Sequence, residues 1–288
     1  MDTRNNPIGI FDSGIGGLTV AQAVTEVLPH ENIIYFGDTA HLPYGDKSTA
    51  AIQAYSIKIG DLLLRERCKL ILIACNSASA AAYDLMREYI ASKAKVLNVI
   101  DPTVAYVGER FGGQTVGLIG TKQTVNSGVY EQKVRDLGRD IRLRSLATPL
   151  LAPVIEEGFF NNSISESVIH TYLSDPELDG IRALILGCTH YPLVKEEIEA
   201  YYAGSVEVID ASRIVAASTT GCSRAGTGRS ASSSSPTTPR RSKPPRAYSS
   251  GKGCTWSCTG CGSRGGAGCR IRQMFPIIPV LSAEERMR

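Results

Sequence analysis

Residues 70–79, LILIACNSAS, and residues 183–192, ALILGCTHYP, decide how this chain is read. Each runs through aliphatic residues and stops on a cysteine followed by short polar side chains. A run of Leu, Ile and Ala bounded by small polar residues fits a strand covered on both faces, and open α/β sheets place their ligands just past the carboxyl ends of such strands. Cys75 and Cys188 both fall at that point, which predicts two thiols facing one pocket from opposite sides. Asn76 and Ser77 after the first, and Thr189 and His190 after the second, supply donors and acceptors for a small polar substrate.

Working outward from these two stretches, strands are predicted at 8–11, 33–36, 96–99, 115–119 and 206–209 as well as 70–74 and 183–186, with helices between them. That alternation makes the chain α/β, with mainly parallel sheets. Ile52, Tyr55, Ile59, Leu62 and Leu63 recur at spacings of three and four after Ser48, a suitable cap, and predict one packing helix. IGIFDSGIGGLTV at 8–20 is answered by VGLIGTKQTV at 116–125, at about the offset that separates the two cysteine stretches. The chain therefore reads as two similar domains with the active site in the cleft between them. Their expected bounds are 1–98, with 208–217 returning to this first domain, and 99–207 for the second.

Charge divides the chain at the same end. Residues 216–288 hold 12 Lys/Arg against 2 acidic residues, leaving 19 basic and 26 acidic residues elsewhere, so the folded part is acidic. The net charge of +3 is thus no argument for a nucleic-acid partner. From 217 to 270 there is no Leu, Ile, Val, Phe or Met, so residues 218–288 read as a low-complexity basic tail, disordered or the product of a shifted reading frame. Cys254, Cys258, Cys261 and Cys269 in that tail offer one C-x2-C pair and no histidine, which sets a zinc site aside. No long apolar run or leader pattern marks a membrane or secreted protein, and Cys68, Cys75 and Cys188 are spaced like reduced thiols, so the expectation is a cytoplasmic protein without a metal.

Two further loops belong to the candidate site. Asp12-Ser13-Gly14-Ile15-Gly16-Gly17 leads from a strand into a helix, and its backbone N–H groups suit a carboxylate. The dinucleotide fingerprint is excluded, since its third glycine would fall on Thr19, and a phosphate-binding loop lacks its lysine. Residues 37–45, GDTAHLPYG, bring Tyr44 and the Gly45 amide after another strand end. His190 stands two residues beyond Cys188, in reach of a bound amino group or of that thiol. Glu156 and Glu157 lie in a helical stretch that can turn one carboxylate inward.

Taken together, DSGIGGLTV at 12–20, PYG at 43–45, ACNSASA at 74–80 and GCTHYPL at 187–193 resemble the motif set of the glutamate racemase family, in family order. The resemblance covers about residues 7–215. It implies cofactor-independent interconversion of L- and D-glutamate, which supplies D-glutamate for peptidoglycan, and it suggests a homodimer. By this resemblance Cys75 takes the α-proton from the D-enantiomer and Cys188 from the L-enantiomer, assisted by Asp12, His190 and Glu156. Substrate contacts fall on Asp12, Ser13, Tyr44, Gly45, Asn76, Ser77, Thr189 and His190. Ser77 stands where the family has Thr, and His41 where it has Arg. The rival readings are an aspartate or hydantoin racemase of the same superfamily, or a non-catalytic amino-acid-binding protein impaired by its tail.

Overall fold

All seven expected strands form, and they build two separate parallel sheets. The computed structural model describes residues 5–224 and 271–274. The first part runs β1 (Ile8–Asp12), α1 (Leu18–Val27), β2 (Ile33–Gly37), α2 (Thr49–Arg65), β3 (Leu70–Ile73), α3 (Asn76–Ile90) and β4 (Lys95–Asn98). The chain crosses at Val99 into α4 (Ile100–Arg110) and continues through β5 (Thr115–Gly120), α5 (Lys122–Asn126), α6 (Val129–Asp136), β6 (Arg142–Ala147), α7 (Leu151–Glu156), α8 (Ser163–Leu173), β7 (Ala183–Gly187), α9 (Lys195–Tyr202) and β8 (Glu207–Ile209). It returns as α10 (Ala211–Arg224), and β9 (Ile271–Met274) completes the described chain.

The first sheet has the order β4-β3-β1-β2-β9 and the second β6-β5-β7-β8. Every pairing is parallel. β1 pairs with β3 through Phe11 opposite Ile73, so Asp12 and Cys75 emerge side by side at the carboxyl end of the first sheet. In the second sheet Gly120 pairs with Gly187, which brings Thr121 and Cys188 out together. The duplicated sequence thus becomes a duplicated crevice.

Helix ends follow their capping chemistry. Ser48 Oγ accepts from the Ala51 amide at 3.3 Å and starts α2, whose Ile52, Ile59 and Leu63 are buried. Asn162 and Ser165 form a capping box at α8. One apolar cluster joins the two units: Ile8, Ile10, Val20 and Val24 of the first meet Val104, Val107, Leu118 and Ile185 beyond the crossing, with Val215 of α10. Separate clusters cover the outer faces of the sheets.

Three expectations change. β8 pairs with β7, so residues 208 and 209 belong to the second sheet, and the return begins with Ala211, because α10 is the element that packs on α1. Residues 218–224 continue α10, where Val215, Ala216 and Thr219 are buried, and 271–274 add a strand along β2, so these parts of the expected tail carry regular structure. Strand β6 was not foreseen: RLRSLA alternates charge with apolar residues and forms the edge of its sheet, half open to solvent. The remaining tail, with Cys254, Cys258, Cys261 and Cys269, lies outside the described residues.

Candidate active site

Where the carboxyl ends of the two sheets meet, one cavity is lined by Ser13, Tyr44, Gly45, Cys75, Asn76 and Ser77 on one side and by Thr121, Glu156, Cys188, Thr189 and His190 on the other. Asp12 lies just behind this lining and is fully buried. Its carboxylate accepts from the Gly14 amide at 3.1 Å and from Thr189 Oγ1 at 3.4 Å, so it ties the first loop to the last. The loop is held from the other side by the Tyr35 hydroxyl, which donates to Gly14 O at 2.8 Å.

Cys75 is the N-cap of α3, and its Sγ accepts from the Ala78 amide at 3.5 Å while facing Ser13 Oγ at 3.8 Å. A helix start favours a thiolate, but burial and then the Asp12 charge outweigh it and hold this thiol well above its ordinary range. Cys75 rests protonated.

Cys188 follows the Gly187 end of β7, and its Sγ lies 3.5 Å from His190 Nδ1. On the other side of the ring, Nε2 lies 3.0 Å from Glu156 Oε1, an ion-pair distance at which the N–H is not aligned for a hydrogen bond. Burial alone would lower the His190 pKa, yet contact with Cys188 and Glu156 raises it well above the ordinary value. The second sheet therefore presents a sulfur beside an imidazolium. Glu157 follows the end of α7, exposed, and does not line the cavity.

Tyr44 is buried in a 3-10 turn and donates to Asp38 Oδ2 at 2.6 Å, and Asp38 also takes His41 Nδ1 at 2.8 Å. His41 stacks on Tyr55 with ring centroids 4.0 Å apart. Asp38 thus orders the loop that carries Tyr44 and Gly45. Ser77 Oγ meets Thr121 Oγ1 at 2.9 Å, and Gly45 packs so closely on Thr121 that a Cβ there would lie 2.7 Å from the threonine Cβ. Thr121 was missed as a lining residue, although its place after β5 in the repeated VGLIGTKQTV was the signal that could have found it. Cys68 is buried away from the cavity as a packing residue. Among the described residues, no group of three or more His, Cys, Asp or Glu side chains could hold a metal ion, and no helix is long and apolar enough to cross a membrane.

The comparisons with known proteins agree with this architecture. A family model described as Asp/Glu/Hydantoin racemase matches residues 18–219. The chain is 41% identical over 207 residues to the glutamate racemase of Streptococcus mutans serotype c, covering 72% of this chain and 77% of that relative. Identity to the glutamate racemase of Neisseria meningitidis serogroup B is 42% over 207 residues, covering 72% of this chain and 76% of the relative. Among solved structures, the glutamate racemase of Francisella tularensis in complex with D-glutamate is similar with a TM-score of 0.71 and 42% identity, covering 76% of this chain and 81% of that one. With duplicated parallel sheets, a cysteine at the mouth of each, and a family match across most of its length, the chain belongs to the Asp/Glu/hydantoin racemase family.

Proposed function

We propose that this chain interconverts L- and D-glutamate by two-sided proton transfer between Cys75 and Cys188, supplying D-glutamate for peptidoglycan. The observation that carries the reading is that two buried free thiols, one from each sheet, line a single cavity. The relatives at about 40% identity named above are glutamate racemases, which favours glutamate over aspartate or hydantoin substrates. The enzyme acts in the cytoplasm, and its two thiols transfer the proton without a cofactor.

Inversion at Cα needs a proton to leave one face and another to arrive at the opposite face. In the L-to-D direction the Cys188 thiolate takes the α-proton: the C–H bond breaks, an S–H bond forms, and the electron pair passes onto Cα and its carboxylate. The Cys75 thiol then gives its proton to the other face and becomes the thiolate. The reverse direction exchanges the roles. A protonated Cys75 and a sulfur beside the His190 imidazolium make up the form ready for the L-enantiomer. A thiolate is a weak base toward a C–H bond, so the negative charge that builds on the carboxylate has to be met by fixed donors. The Ser77 and Thr189 hydroxyls and the backbone amides of the Asp12 and Tyr44 loops are suited to that role.

The test is circular dichroism of each glutamate enantiomer incubated with the protein, repeated in D2O with mass analysis at Cα. Loss of signal from both enantiomers with one deuterium incorporated is expected. Cys75→Ala and Cys188→Ala should each lower turnover by at least about 10³-fold, since each removes an obligatory acid or base. A chain that binds glutamate without changing its handedness, or a fully active single variant, refutes the reading.

A further inference from the structure

Tyr130 is a buried titratable side chain that the proton-transfer scheme leaves unused. It sits on α6 in the second unit, 1% exposed, within the apolar cluster shared by the two units. Gly128, at φ 65°, turns the chain into α6 through a left-handed conformation and so aims Tyr130 back across the boundary. Its hydroxyl reaches the first unit and donates to Asn76 Oδ1 at 2.8 Å. Asn76 is 4% exposed, opens α3 directly after Cys75, and lines the cavity.

We propose that Tyr130 is a positioning residue that fixes the orientation of the Asn76 amide, so that its two N–H donors, and not its carbonyl oxygen, serve the carboxylate of the bound amino acid. This rests on the racemase reading above and deepens it. The orientation follows from hydrogen-bond supply. An amide oxygen only accepts and an amide nitrogen only donates. If the amide were turned over, the Tyr130 hydroxyl would have to accept from Nδ2, and its own hydrogen would need another acceptor; among the described residues Asn76 is its hydrogen-bond partner. Burial also holds this phenol protonated far above neutral pH, so it stays a donor through the working range. A turned amide would set a carbonyl oxygen against an anionic substrate, which is repulsive. The hydroxyl therefore excludes the wrong rotamer from a distance, without touching substrate.

Tyr130→Phe deletes one oxygen and keeps the ring. In the full chain we expect KM to rise about tenfold for both enantiomers, with kcat within about twofold, the pattern of lost binding shared by ground and transition states. Asn76→Ala should raise KM at least as far, and the double variant should be no worse than Asn76→Ala alone. Asn76→Asp keeps an acceptor for Tyr130 but replaces the donors by a carboxylate, and should raise KM about a hundredfold while Tyr130→Phe adds nothing to it. If Tyr130→Phe fails to fold, Asn76→Asp alone still tests whether the amide donors serve the substrate. A Tyr130→Phe protein with a lowered melting temperature and wild-type KM, additive losses in the double variant, or an Asn76→Asp protein with wild-type KM would each overturn the proposal. If the wild-type chain binds glutamate without racemising it, the racemase reading fails separately, and the same variants compared by calorimetric Kd judge the Tyr130 contact.

Discussion

Gly16→Ala tests whether the loops from the two sheets must touch as closely as they do. Gly16 lies between β1 and α1, and its φ is outside the left-handed region, so alanine is free in conformation and the question is space. An ideal Cβ would lie 2.6 Å from Thr189 Oγ1, 2.7 Å from His190 Cε1 and 2.9 Å from His190 Nδ1. Ordinary contacts begin near 3.5 Å, so the facing loops would have to part by about 1 Å. Neither neighbour can simply swing aside: both are buried, and His190 is flanked by Cys188 at 3.5 Å and Glu156 at 3.0 Å. Overpacking of this kind costs about 1–3 kcal/mol, and a displacement of about 1 Å at reacting groups costs about 10²-fold in rate. We expect kcat to fall about a hundredfold by the circular dichroism assay, while the melting temperature falls by only about 2–10 °C for a unit of this size. A Gly16→Ala protein with wild-type kcat would show that the Thr189 and His190 loop is not held in register from across the cleft.

The pH profile offers a second check. Cys188 and Glu156 hold His190 protonated, so Glu156→Gln should lower its pKa and move the alkaline limb of kcat/KM to lower pH; an unmoved limb would remove Glu156 from the site. Asp38→Ala leaves the Tyr44 hydroxyl buried without its acceptor, which costs about 1–3 kcal/mol, and loosens the turn bearing Gly45, so KM should rise, with partial recovery in Asp38→Asn. Wild-type KM in Asp38→Ala would refute that role. Burial lifts the Cys68 thiol to about 12, above the value of about 8.5 in an unfolded chain, so its contribution to stability is complete below about pH 8.5 and is lost as pH rises from there through the folded value. Cys68→Ala should therefore flatten the alkaline decline in melting temperature above about pH 9, and an unchanged decline would show that this thiol titrates alike in both states.

How much of this was legible in the sequence depended on what each residue had to do. Fully covered strands such as LILI and ALIL announce themselves because both faces demand aliphatic side chains. β6 did not, because an edge strand exposes Arg142 and tolerates a pattern close to that of a loop. The site loops were readable by their position after strands, and Cys75, Asn76, Cys188 and His190 line the cavity together. What stayed hidden depended on distance through space. The raised pKa of the Cys75 thiol comes from burial, which no local pattern encodes, and from the charge of Asp12, 63 positions away in the chain. Nothing near Tyr130 in sequence indicates that its hydroxyl reaches Asn76.

The apolar cluster that runs from Ile8 through Val104 and Val215 to Ile185 gives the two halves a common fate. Neither sheet can be stripped of its partner without wetting aliphatic side chains on both, so heating should melt them in one cooperative event. A lesion in one half then silences the chemistry of the other, and the pair of sulfurs is either wholly assembled or absent.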